Sequence, residues 1–155
     1  MNLSLKPTKA FILTSWAALA IAVFAYAIGL YNANLQLNEK GYYLVVLLFG
    51  LSSVITLQKT VRDEMEDIQV TSLYKTMVIA GVVSACALML IGLWNADTLA
   101  MNEKGFFAIS FVLGLFAAVV TQKNVRDLAC FDQTTTQPAT ETARRATETK
   151  DTDTL

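Results

Sequence analysis

Residues 10–31, 41–57, 76–94 and 105–121 carry no Asp, Glu, Lys, Arg or His. A helix crossing the hydrocarbon of a bilayer needs roughly 20 predominantly apolar residues. The first and third stretches meet that length outright. The second and fourth, of about seventeen residues, reach near 25 Å. Helical continuation past Gln58 and Gln122 would supply the rest, with Lys59 and Lys123 snorkelling to the interface. None of the four alternates with period two, which excludes a transmembrane β-barrel. The expected fold class is therefore all-α, an integral membrane protein with four transmembrane helices. Composition agrees, since 16% of the residues are charged against roughly 25% in soluble domains.

The second and fourth stretches are copies of each other. Asn38-Glu39-Lys40-Gly41-Tyr42-Tyr43 opens one, and Gln58-Lys59-Thr60-Val61-Arg62-Asp63 closes it. Asn102-Glu103-Lys104-Gly105-Phe106-Phe107 opens the other, and Gln122-Lys123-Asn124-Val125-Arg126-Asp127 closes that. The end of the first stretch, Ile28-Gly29-Leu30-Tyr31-Asn32-Ala33, is likewise echoed by Ile91-Gly92-Leu93-Trp94-Asn95-Ala96. A unit repeated at fixed spacing is an architectural signal. It predicts two tandem two-helix repeats, 10–63 and 76–127, arranged as two helical hairpins. A short lead, 1–9, precedes them, and a linker, 64–75, joins them. Because each repeat holds an even number of helices, the copies enter the membrane in the same direction, unlike the inverted repeats of many transporters. A cleaved signal peptide competes for 10–31, as Ala25-Tyr26-Ala27 resembles a cleavage site. The run is too long for a signal core of roughly 7–15 residues, however, and its ending recurs in the chain interior. Residues 128–155, rich in Thr and charge, are expected to form a disordered tail.

Lys and Arg in short loops set orientation. Lys6, Lys9, Lys59, Arg62, Lys75, Lys123 and Arg126 fall at one end of the four spans, against Lys40 and Lys104 at the other. Both termini and the linker are thus expected in the cytoplasm.

Two motifs and one pattern are candidates for function. Asn38 and Asn102 suit helix N-caps. Glu39 and Glu103 suit the positive end of a helix dipole. The aromatic pairs that follow suit the interfacial belt. In the second motif, Lys59, Arg62, Lys123 and Arg126 are what topology asks for, whereas Asp63 and Asp127 are not. If the helices continue, Lys59–Asp63 and Lys123–Asp127 become i,i+4 pairs, and Val61, Met65 and Ile68 line one face. The set Lys59, Arg62, Asp63, Lys123, Arg126 and Asp127 is the candidate interaction surface. The pattern is a face of small residues, Ala18, Ala22 and Gly29 in the first helix and Gly81, Ala85 and Gly92 in the third. Gly50 and Gly114 play the same part in the other two. Such faces let helices approach closely in lipid, within the chain or between two copies.

The absence of ionisable side chains from the spans argues against a proton relay or coupled ion path, where such groups are the rule. No phosphate loop, nucleophile elbow or metal-ligand cluster is present. Cys86 and Cys130 are too sparse for a disulfide framework. With no basic excess, nucleic acid is not an expected partner. No cofactor and no enzymatic activity are expected.

The duplicated Asn-Glu-Lys-Gly-aromatic hairpin ending in Gln-Lys-x-Val-Arg-Asp resembles the bacterial inner-membrane YiaA/YiaB family, whose unit is the YiaAB two-helix domain. The resemblance covers both repeats and leaves the tail outside. It implies a multi-pass inner-membrane protein and transfers no activity and no binding residue. The reading that follows is a non-catalytic packing or partner-binding membrane module. Its partners would be the bilayer, a second copy through the small-residue faces, or an unidentified membrane or cytoplasmic protein. The alternative is a small oligomeric pore or facilitator lined by Ser15, Ser52, Ser53, Thr56 and Ser84.

Overall fold

The computed structural model describes residues 7–152, with side chains from 7 to 129. It contains four helices: α1 (Lys9–Asn32), α2 (Leu37–Met65), α3 (Ser72–Asn95) and α4 (Met101–Thr152). All four are long and apolar enough to cross a membrane, α4 through its segment Met101–Ala129. Their outward faces carry Leu13, Phe24, Leu90 and Phe116, all well exposed. Contiguous apolar surface of that kind is unfavourable in water and natural against lipid. The α2 helix does run past Gln58, which gives it the length that the uncharged stretch alone lacks.

Each repeat is a hairpin in connectivity, but its two helices scarcely touch. Instead α1 packs on α4 and α3 packs on α2, while α2 and α4 meet in the middle. The first helix of each repeat thus lies on the second helix of the other repeat. The small residues show why. A Cβ added to Gly29 would sit 2.8 Å from a ring carbon of Phe106 on α4. One added to Gly92 would sit 2.6 Å from Tyr42 on α2, and one added to Gly50 2.9 Å from Phe111 on α4. Gly81 lies against Ser53, and Gly114 against Ala22. These notches point at the opposite repeat, and close approach follows them. Ala22 and Ala85 are buried at the same contacts, whereas Ala18 is only half-buried. What is left between α1 and α2 is an apolar cleft of about 560 Å³, with Val23, Ala27, Leu44 and Leu48 among its walls.

Aromatic rings fill the centre. Tyr43 and Phe107, equivalent positions of the two repeats, stack at 5.7 Å between centroids and 19° between planes. Tyr26 meets Phe107 edge-on at 5.3 Å. Its hydroxyl donates to the Tyr43 carbonyl oxygen at 2.9 Å, so the buried O–H of α1 is satisfied on α2.

The helix starts differ from expectation by two residues. Gln36 is the N-cap of α2 and α4 begins at Met101, so Asn38 and Asn102 lie inside the first turn. The acids do the capping: Glu39 accepts from the Gln36 N–H at 2.7 Å, and Glu103 from the Ala100 N–H at 2.8 Å. A carboxylate at the third helical position reaches back to the cap more readily than the asparagine between them. The other end of α2 closes in a Schellman turn. Asp67 takes φ 58°, the Ile68 N–H donates to Asp63 O, and the Asp67 N–H donates to Glu64 O. Ile68 therefore leaves the helix and does not join Val61 and Met65 on one face. Lys75 then ties the start of α3 to Glu64 at 2.7 Å. The backbone of α4 is helical to Thr152; the tail expectation for 128–155 falls almost wholly on residues whose side chains lie outside those described.

Candidate functional site

The Gln-Lys-x-Val-Arg-Asp units end the two central helices, and the contact between α2 and α4 brings them together. Gln58, Lys59 and Arg62 face Gln122, Lys123 and Arg126 across a small pocket of about 80 Å³. The glutamines were not among the sequence candidates. They join because they precede each lysine by one position on the face that α2 and α4 share. Asp63 and Asp127 do not line the pocket; they hold its arginines. Arg62 Nη2 lies 2.9 Å from Asp63 Oδ1, and Arg126 Nη2 lies 3.1 Å from Asp127 Oδ1. In both pairs Nε donates to the same oxygen at 3.3 Å. Arg62 also reaches Glu66 at 3.7 Å.

This corrects the expected lysine pairs. The acids bind the adjacent arginines, whose planar fork fits a carboxylate oxygen with two N–H groups. Lys59 and Lys123 stay exposed. Each Arg–Asp pair is close to neutral, so the excess positive charge of the pocket resides on the two lysines. The arginines and aspartates are only half-buried, where solvent screens such pairs strongly. Their contribution is orientation: each guanidinium is held in a fixed plane beside a lysine and a glutamine amide. The arrangement supplies donors and positive charge on a near-two-fold pattern, which suits recognition of carboxylate or phosphate oxygens.

Of the hydroxyls expected to line an oligomeric pore, three bond to neighbours within the chain. Ser15 donates to Ile12 O and accepts from Asn124 Nδ2 at 2.9 Å. Ser52 and Thr56 bond back to their own helix. Ser53 is buried beside Gly81, and Ser84 lies on the exposed side of α3. They do not line a common path within one chain.

A second pocket, at the opposite end of the helices, escaped the sequence reading. Asn38, Glu39, Tyr42 and Tyr43 of α2 and the last turn of α3 enclose about 320 Å³. The doubled aromatics at 42–43 and 106–107 marked the place, but the loss of both hydroxyls in the second copy was the signal to follow.

Comparison with known proteins agrees with the repeat. The yiaA/B two helix domain matches twice, over residues 11–63 and 74–127. The inner membrane protein YiaA of Escherichia coli (strain K12) is 49% identical over 120 residues, covering 77% of this chain and 82% of that protein. The uncharacterized membrane protein YubF of Bacillus subtilis (strain 168) is 46% identical over 61 residues, covering 39% of this chain and 70% of its own length. No solved structure matches. With both halves matched by one domain and a relative of this identity aligned across most of its length, the chain belongs to the yiaA/B two helix domain family.

Proposed function

We propose that this is a non-catalytic, multi-pass inner-membrane interaction module, with its termini in the cytoplasm, whose basic pocket docks an acidic segment of a partner protein. The inner-membrane assignment follows the name of the Escherichia coli relative, and the orientation follows the excess of Lys and Arg at the pocket end. The observation that carries the docking reading is the convergence of both Gln-Lys-x-Val-Arg-Asp units on one pocket. A duplicated motif whose copies meet has a use for the pair that a topology signal alone does not require. Charge complementarity names the partner's chemistry, as exposed lysines steer acidic surfaces towards them.

A photo-cross-linker placed at Val125, exposed beside the pocket, tests this in intact cells. The expected result is one dominant protein neighbour with an acidic cytoplasmic segment, which binds again when both proteins are purified. It should be lost in the Arg62→Ala, Arg126→Ala double variant and in Lys59→Gln, Lys123→Gln, which keeps both Arg–Asp pairs. Identical neighbours for the variants and the parent, or phospholipid as the sole adduct, would contradict the reading.

A further inference from the structure

The pocket at the far end of α2 and α3 differs between the repeats in a way that packing does not require. Tyr42 and Tyr43 in the first copy are Phe106 and Phe107 in the second. Both aromatic pairs press on a glycine of the helix they cover, Gly92 and Gly29 respectively, so phenylalanine serves that purpose. Of the two extra hydroxyls, Tyr42 donates to Leu88 O at 2.6 Å. Tyr43 is 2% exposed, and its hydroxyl has no hydrogen-bond partner. It lies beside Gly92, 3.4 Å from where a Cβ there would be, and both residues line the pocket. A buried hydroxyl left unpaired costs about 1–3 kcal/mol, which makes it a pointer to something that pairs with it.

The ends of α1 and α3 say what that something is. At α1, the Ala33 N–H closes on Gly29 O at 2.9 Å, and the ammonium of Lys40 donates to Tyr31 O at 2.8 Å. At α3, among the described residues, the Ala96 N–H makes no bond to Gly92 O and Lys104 makes none to Trp94 O. The negative end of the α3 dipole is thus closed only by the turn beyond it, Asp97 N–H to Asn95 O at 3.0 Å and Leu99 N–H to Ala96 O at 3.2 Å, and lacks the ammonium that α1 has; such an end favours a cation. Glu39 borders the same space. Its Oε2 accepts from the Gln36 N–H, and its Oε1 is available. The pocket is lined by the Tyr42 and Tyr43 side chains and by the amides of Asn38 and Asn95.

We infer that this pocket binds a primary ammonium group. The three N–H donors of the ligand match Glu39 Oε1, the Tyr43 hydroxyl oxygen and the carbonyl of Gly92, and the tyrosine rings add cation–π attraction. The ligand brings to the end of α3 the positive charge that Lys40 brings to the end of α1. Either an aminophospholipid headgroup at the membrane interface or a free amine carries this chemistry.

The test uses the full chain in nanodiscs of phosphatidylglycerol alone. Ethanolamine is titrated by calorimetry, and phosphatidylethanolamine is added and followed by native mass spectrometry. Choline and phosphatidylcholine, which lack N–H donors, serve as controls. Binding of either primary amine is expected, weakened about tenfold or more in Tyr43→Phe and in Glu39→Gln, the factor given by losing one hydrogen bond to a charged group. Phe107 shows that the fold accepts phenylalanine at the Tyr43 position, and glutamine at 39 keeps the helix cap. Binding of the phospholipid alone assigns the headgroup as the source; binding of ethanolamine as well assigns a free amine. No binding of either, equal binding of the choline controls, or undiminished binding in both variants overturns the inference.

Discussion

Two glycines of one helix make opposite predictions. Nothing lies within 4 Å of a Cβ placed on Gly41, whereas one on Gly50 would meet Phe111 at 2.9 Å and Leu115 at 3.1 Å. Gly41→Ala is expected to stabilise the protein by about 0.5–1 kcal/mol through helix propensity. Gly50→Ala should destabilise it by about 1–3 kcal/mol through overpacking. Reversible unfolding in mixed micelles reads both. The sequence marks these glycines by similar repetition and does not separate them, because the difference is whether a neighbouring helix arrives. A buried polar pair is a further residue-scale case. Asn124, 1% exposed, donates to Ser15, while the equivalent positions of the other repeat, Thr60 and Val78, are also buried. Swapping in the other repeat's residues, Asn124→Thr with Ser15→Val, should cost less than the two single changes summed. A coupling energy of about 1 kcal/mol is expected from a double-mutant cycle. Zero coupling would mean that the bond contributes nothing.

At the scale of elements, the four helices were legible because lack of charge over a span-length stretch has one physical solution in lipid. Their ends were less so. Asn38 and Asn102 have the right chemistry for a cap, and the glutamates beside them have the right reach; sequence alone does not rank the two. The end of α2 was hidden more deeply. No glycine or proline marks it, and Asp67 enters the left-handed region at φ 58° because aspartate tolerates it better than most residues. Asp67→Val should cost about 1–2 kcal/mol in the same unfolding assay, since β-branching makes that conformation strained; Asp67→Gly should be neutral or stabilising. A valine variant as stable as the parent would show that the Schellman turn does not set the boundary. The lysines expected to pair with Asp63 and Asp127 lost to the adjacent arginines, a competition that spacing rules do not decide because the acid is in reach of both.

For the whole molecule, the repeat was plain from the motifs, and the partner of each helix was not. Hairpin connectivity suggests that α1 lies on α2. The small residues say that something packs closely and leave open what. The structure answers that Gly29 belongs to Phe106 and Gly92 to Tyr42, so each repeat lends its first helix to the other. That exchange places α2 against α4 and joins the two basic ends in one pocket. The pocket exists only through this exchange. Cross-linking tests it most directly, with Lys59→Cys and Lys123→Cys introduced after Cys86 and Cys130 are replaced by alanine, and a protease site inserted in the linker between α2 and α3. A short bismaleimide is predicted to join the two halves of a single chain, which then stay together after cleavage. Halves that separate, or that join only between two copies, would contradict the exchange.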